Sequence, residues 1–358
     1  MKVVHISTPV SFRGGEQQVL YLIEALAELS VDQELWCPEK SELARRVAEM
    51  PVALQPLRNR ILAAFDLRSC YGGEGDIVLH AHDSHAHTVA WLAALGGLRV
   101  PLVVSRRVAR APKASPWSWG KYQHPSLRAL LCVSEHVAAL HRGALRGETA
   151  VEVVYSAAAA PASHPPALRE ELGLPEQAKL IGTVAALTSE KDFPTFVKTC
   201  EALHRADSTL HFIHIGTGSE AAQQEAERLR RAAGLEDRLH LLGFRADAPA
   251  LIGAFDVFVF TTRWEGLGSS ILQAQWREVP VVSTRAGGTP ELVAHEVTGL
   301  LAEVGEWRVL AKAVHRLLED HVFAKRLTNA ARLQAAQFTT ARMAQETLVQ
   351  YRKALAIS

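Results

Sequence analysis

Aliphatic and β-branched runs alternate with amphipathic stretches along almost the whole chain, which predicts an α/β protein. Val3 to Ile6 reads as a buried parallel strand. In the segment after it, Val19, Ile23, Leu26 and Ala27 fall at i, i+4, i+7 and i+8, one face of a helix. Further strands are predicted at Glu34–Cys37, Ile77–His80, Leu102–Ser105, Leu130–Val133 and Val151–Val154, with helical patterns between most of them. A second series runs through Leu180–Val184, Leu210–Ile215, Leu239–Leu242, Val257–Phe260 and Val281–Ser283. After Trp307 the pattern is helical to the end, where Ala344, Leu348, Tyr351 and Leu355 form one apolar stripe.

Between the two series, residues 156–166 are small, proline-containing and aperiodic, which predicts a linker. The expected architecture is therefore two doubly wound domains, 1–160 and 167–338, followed by a helix at 339–358. A cleft is expected between the domains. Ligands of such sheets sit outside the carboxyl ends of the strands, so a motif just after a strand counts for more than one elsewhere.

Composition changes this picture little. The chain has 358 residues, 48% hydrophobic and 22% charged, which suits two ordinary globular domains. A net charge of +1 singles out no partner. The distribution of charge says more. No Asp or Glu occurs from Ser84 to Ser134, a stretch that holds Arg99, Arg106, Arg107, Arg110, Lys113, Lys121 and Arg128 with Trp117, Trp119 and Tyr122. It reads either as a solvated loop or as a site for an anionic acceptor or an anionic membrane surface. No nucleic-acid recognition module is present. The four cysteines are scattered with no CxxC pair, which argues against a disulfide framework or structural zinc and fits a reducing cytoplasm. The first residues read as a strand rather than a signal peptide, and no run of about 18 apolar residues exists.

Several motifs follow strands. Arg13-Gly14-Gly15-Glu16 opens a helix, where paired glycines let a phosphate approach the backbone; a plain turn explains them equally well. His80-Ala-His82-Asp83-Ser-His85-Ala-His87 suggests a metal, but no second His/Asp cluster completes a binuclear site. One histidine at the strand end, facing the cleft, is the preferred reading. His211, His214 and His240 fall on strands, where core packing explains them. Lys191 precedes a helical stretch, a position suited to a diphosphate. Gly216-Thr-Gly-Ser219 is a permissive turn. Glu265-Gly-Leu-Gly268 precedes a helix from about Ser269: the carboxylate can accept bonds from sugar hydroxyls, and the N–H groups near Ser269 and Ser270 can hold phosphate. Gln273 lies within that helix. Ala286-Gly287-Gly288-Thr-Pro-Glu291 follows the next strand and adds a second Gly-rich turn with a carboxylate.

These segments resemble the family-4 retaining glycosyltransferases of the GT-B fold over nearly the whole chain. The carrying residues are Gly14-Gly15, the His-x-His at 80–82, Glu190-Lys191-Asp192, Glu265-Gly-Leu-Gly268 and Gly287-Gly288-Thr-Pro-Glu291. The resemblance implies two Rossmann-like domains facing a central cleft, with the last helix crossing back to the first. It implies transfer of a sugar from a nucleoside diphosphate with retention, without cofactor or metal. His82 and Glu265 would be the catalytic residues, His82 near the reacting sugar. Gly14, Gly15, Lys191, Gly216, Gly268, Ser269, Ser270, Gln273 and Glu291 would bind the donor. Arg106 and Arg107 are the expected acceptor contacts. The expected acceptor is a glycan or lipid-linked glycan, anionic in the sharper form of the reading, such as a lipopolysaccharide core. The expected place is the cytoplasm, with peripheral contact at the inner membrane and no nucleic acid. Two positions depart from the family pattern: Gln273 stands where a second Glu is usual, and Ala186 where an Arg often helps the lysine. The alternatives are a GT-B nucleotide-sugar 2-epimerase, a catalytically silent nucleotide-sugar-binding protein and, most distantly, a metallohydrolase on the histidine cluster.

Overall fold

The computed structural model describes residues 1–73, 75–112, 115–143, 145, 149–160 and 167–356. Residues 161–166 of the predicted linker and Lys113 of the basic stretch lie outside the described residues. The chain divides into two compact units, Met1–Ala157 with Thr340–Ser358, and Ala158–Thr339.

The first unit is built on β1 (Lys2–Ile6), β2 (Asp32–Cys37), β3 (Ala53–Pro56), β4 (Ile77–Ala81), β5 (Leu102–Arg106), β6 (Leu127–Cys132) and β7 (Ala150–Val153). They form one parallel sheet in the order β3-β2-β1-β4-β5-β6-β7. The strand order reverses between β1 and β4, and there the register sets His5 beside His80. Helix Gly14–Glu28 buries Leu22 and Leu26 in one core cluster and Val19, Leu20 and Ile23 in another. The first cluster also takes Met343, Ala344 and Tyr351 of the last helix, Thr340–Ala356, with Leu348 and Leu355 packed against it. The apolar stripe of that helix is the face buried in this unit's core.

The second unit carries β8 (Leu180–Val184), β9 (His211–Ile215), β10 (Leu239–Leu241), β11 (Val257–Phe260), β12 (Val281–Thr284) and β13 (Leu300–Ala302), again all parallel, in the order β10-β9-β8-β11-β12-β13. Its order reverses between β8 and β11. Phe196, Phe212, Val257, Val259, Leu310 and Val314 lie in its core. His214 packs edge-on to Phe193 in that core, and His211 stacks on His240, so all three strand histidines have packing partners.

Two strands escape the sequence pattern. β3 is a mostly exposed edge strand, and β13 is three residues long at the other sheet's edge. Short edge strands need no extended apolar run, so they leave little periodicity to read. The helical tail is three helices, Trp307–Glu319, His321–Ala335 and Thr340–Ala356; Asp320 caps the second by accepting from Phe323 N at 2.8 Å. Among the described residues no helix is long and apolar enough to cross a membrane.

Candidate functional site

In the first unit, the reversal between β1 and β4 gathers His5, His80 and His82, all buried, with ring nitrogens within 4.8 Å of one another. His82 Nε2 lies 2.9 Å from His5 Nδ1, and His5 Nε2 lies 3.0 Å from Gln33 Oε1. Arg107 donates to His82 O at 2.8 Å and faces His82 Nδ1 at 3.3 Å. A guanidinium can only donate, and this assigns the tautomers. His82 Nδ1 accepts from Arg107, His82 Nε2–H donates to His5 Nδ1, and His5 Nε2–H donates to Gln33. Gln33 Nε2 then donates to Ile23 O at 3.0 Å. The result is a relay of neutral imidazoles running inward from Arg107.

His80 stands beside the relay with both nitrogens engaged, by Tyr351 OH at 2.5 Å and Ser105 Oγ at 2.8 Å. Burial pulls His5 down to about 4, and burial with neighbouring cationic and imidazole groups holds His80 and His82 well below the usual histidine range. Burial likewise draws Arg107 down to about 10, against the pull of Glu16 and Asp83. A metal ion would need three lone pairs turned to one point. Here the lone pair of His82 Nδ1 accepts from Arg107, that of His5 Nδ1 accepts from His82, and both nitrogens of His80 are engaged by Tyr351 and Ser105, so the donor set, beside a guanidinium, does not fit a cation. His85 is exposed and His87 is buried edge-on to Tyr122, so neither joins the cluster.

Asp83 caps helix Ser84–Leu95, accepting from His85 N and Ala86 N at 2.8 and 2.9 Å, and holds Thr8 through its N and Oγ1. Glu16 turns back to Arg13 N at 2.9 Å, closing the start of helix Gly14–Glu28; burial raises its carboxyl above the usual range. A side chain at Gly15 would meet nothing within 4 Å, so the space over this turn is open. Gly14 is exposed beside it.

Above these residues lies a cavity of about 580 Å³ lined by Gly15, His82, Arg106, Trp91, Trp117 and Lys121, among others. Both expected acceptor residues, Arg106 and Arg107, line it, and Arg107 in addition braces His82.

In the second unit the expected donor residues converge where β8 and β11 end. Lys191 Nζ pairs with the Glu265 carboxylate and lies 4.9 Å from the centre of the Phe260 ring. The two loops that carry this pair are stitched together. Thr262 Oγ1 donates to Glu190 O at 2.9 Å, Thr261 Oγ1 to Lys191 O at 3.1 Å, and Arg263 N to Glu190 O at 2.7 Å. Asp192, buried and with φ +46°, accepts from Arg263 at 3.0 Å and Thr195 at 2.8 Å. Sequence reasoning missed this staple; the consecutive threonines after β11 were its signal.

Glycines close the cluster by backbone packing. A Cβ at Gly287 would stand 2.0 Å from Glu265 O, and Gly288 N donates to that oxygen at 3.0 Å. At Gly216, φ +145°, a Cβ would stand 1.9 Å from Ala185 O. Both glycines are thus required by neighbouring backbone, whether or not a ligand is near.

Helix Ser269–Trp276 starts at Gly268, in the left-handed region, with no capping side chain, and helix Phe193–Ala206 also starts without one. Side chains do cap other helices of both units, among them Ser41, Asn59, Asp83, Ser115 and Ser134 in the first and Ser219 and Asp320 in the second. An uncapped start leaves N–H groups and the positive end of the helix dipole for an anion. Ser269, Ser270 and Gln273 are half-buried on that helix. Glu291 is half-buried in the short helix after Gly288, its carbonyl taken by Gln334 at 2.9 Å.

The chain is similar to known proteins over both units. Residues 166–334 match the family Glycosyl transferases group 1, and residues 12–157 match Glycosyltransferase Family 4. The lipopolysaccharide core biosynthesis glycosyltransferase LpsD of Rhizobium meliloti is 25% identical over 343 residues, 92% of this chain and 91% of its own. A glycosyltransferase from Rickettsia africae superimposes with a TM-score of 0.85 at 16% identity, over 100% of this chain and 99% of its own. Anabaena HepE, in complex with UDP and glucose, does so with a TM-score of 0.84 at 21% identity, over 99% and 100%. These structures share the fold, two Rossmann-like domains of the GT-B type.

Proposed function

The chain belongs to the family-4 glycosyltransferases of group 1, and from that premise we propose a retaining enzyme that moves a sugar from a nucleoside diphosphate to a glycan or lipid-linked acceptor. The observation that carries the donor half is the Lys191–Glu265 pair beside the uncapped start of helix Ser269–Trp276.

Breaking the bond between the anomeric carbon and the phosphate oxygen builds negative charge on the diphosphate and positive charge on the sugar. Lys191 and the N–H groups at Ser269 and Ser270 stand ready for the first; such preorganised charge is the largest single contribution in most enzymes. Glu265 is the acceptor for sugar hydroxyls. In the free protein it neutralises Lys191 and so holds the ammonium in place until the diphosphate arrives. Gln273, on the same helix, offers an amide to the ribose, donating and accepting where a carboxylate only accepts. Positive charge for the leaving group comes from the chain itself, so the proposal invokes no metal or cofactor.

The first unit takes the acceptor. Arg106 faces it in the cavity, and His82 lies at the cavity's edge, oriented by Arg107 and His5. The name of the Rhizobium relative, a lipopolysaccharide core biosynthesis glycosyltransferase, supports a cell-envelope glycan as acceptor.

Screening UDP-, GDP- and ADP-sugars for thermal stabilisation identifies the donor; a ligand at 100 times its Kd adds about 2.7 kcal/mol. With that donor, Lys191→Ala is expected to slow transfer by about 100- to 1,000-fold. Wild-type rates in both Lys191→Ala and Glu265→Ala would sink the reading. Product formed from donor alone would indicate an epimerase, and donor binding without turnover a silent binding protein.

A further inference from the structure

The cavity of the first unit holds two cations, Arg106 and Lys121, with no carboxylate partner among the described residues. Arg106 Nε is buried and makes no hydrogen bond. Among the described residues Lys121 Nζ hydrogen-bonds neutral oxygens, Ser84 O and Oγ and Thr88 Oγ1, at 3.3 to 3.4 Å. Burial, then the nearby charges of Arg106 and Arg60, pulls Lys121 down to about 8. Asp83 is near enough to oppose this, but its oxygens are spent on Thr8 and the helix start. Arg107 differs, being bound to His82 and flanked by Glu16 and Asp83. Two like charges crowded into a half-buried space raise the free energy of the empty cavity, and an anion placed between them lowers it.

The walls suit a sugar. Helix Pro116–Tyr122 turns out Trp117, 70% exposed, with its ring edge-on to the buried Trp91 at 5.7 Å. Gly120 permits this seating, since a Cβ there would come within 2.8 Å of the Trp91 ring. A large aromatic surface left in water at a cavity mouth marks a recognition surface. The volume, about 580 Å³, lies within the range of small-ligand sites.

We propose that this cavity is a subsite for an acidic substituent, phosphate or carboxylate, on the sugar that accepts the transfer, with Arg106 and Lys121 as its charge partners and Trp117 as the platform for the ring. The word acceptor rests on the glycosyl-transfer reading; the anion site stands apart from it.

Binding of glucose 6-phosphate, glucuronate and glucose to the full chain, followed by tryptophan fluorescence or calorimetry, tests the proposal. Both acids should bind at least about ten-fold more tightly than glucose, as charge-assisted bonds predict. Arg106→Gln and Lys121→Met should each erase most of that preference, weakening the acids far more than glucose. Arg106→Lys should restore part of it. Trp117→Ala, at an exposed position, should weaken all three ligands alike. Competition by inorganic phosphate against each acid separates the two chemistries: displacement of glucose 6-phosphate alone assigns phosphate, and equal displacement assigns a general anion site. Acids that bind no tighter than glucose, or a preference that survives loss of both cations, overturn the proposal. A chain that binds the acids but transfers sugar from no donor keeps the subsite and loses the glycosyl-transfer reading.

Discussion

Replacing Gly287 with alanine tests whether backbone contact positions Glu265. The new Cβ would stand 2.0 Å from Glu265 O, against a practical minimum of 3.0 Å, so the two loops must part by about 1 Å. The residue also has φ +56°, where a Cβ costs about 1–2 kcal/mol. Moving the Glu265 backbone carries its carboxylate, and the paired Lys191, away from their places at the ends of β11 and β8. A misplacement of about 1 Å costs about 100-fold in rate, or about 2.7 kcal/mol of barrier. Gly305→Ala is the control: φ is +84°, but nothing lies within 4 Å of its Cβ, so it carries the backbone strain without the collision. Urea melts should show Gly305→Ala destabilised by about 1–2 kcal/mol from the backbone alone, and Gly287→Ala by about 1–3 kcal/mol more because of the collision. Steady-state transfer should show the loss in kcat/KM for Gly287→Ala alone. A Gly287→Ala enzyme within two-fold of wild type, or a Gly305→Ala enzyme equally impaired, would refute the reasoning.

The buried histidines make the first unit acid-sensitive. His5 titrates near 4 when folded and near 6.5 when unfolded, so the unfolded chain binds more protons between those values, and stability is lost as pH falls through them. For His5 alone this is on the order of 3 kcal/mol; urea melts from pH 7 to 4 should show it, and His5→Leu should flatten the slope. Tyr351→Phe strips His80 Nδ1 of its partner in a dry site and should cost about 1–3 kcal/mol by calorimetry, with faster amide exchange in the last helix. Raising pH through about 8 discharges Lys121, which Arg106 and Arg60 crowd and Asp83 only partly offsets. Glucose 6-phosphate binding should weaken there, and Lys121→Arg should remove that dependence.

Much of the fold is legible along the chain because strand and helix periods are local. Every predicted strand has its counterpart within a few residues, and the two that are missing from the sequence, β3 and β13, lie at sheet edges. The candidate loops are singled out in the sequence by one rule, that ligands gather beyond strand ends. It brought Lys191 and Glu265 under suspicion, although 74 residues separate them. What it could not do was say what a glycine is for. Gly216 and Gly287 read as open turns in the sequence, yet each lies against another loop's carbonyl.

The sequence by itself determined the α/β rhythm, the two series of strands, the basic stretch without acids and the motifs at strand ends. Periodicity and turn chemistry are written in neighbouring residues, and that is enough for these. Only the tertiary structure decided how the charges of that stretch are placed, with Arg106, Arg107 and Lys121 lining one cavity and Arg107 also bracing His82. It alone linked His82 to His5 and Gln33, and set Tyr351 against His80 across 271 residues of chain. A polar group taken from water must find a partner wherever the fold supplies one, and no local pattern records which partner that is.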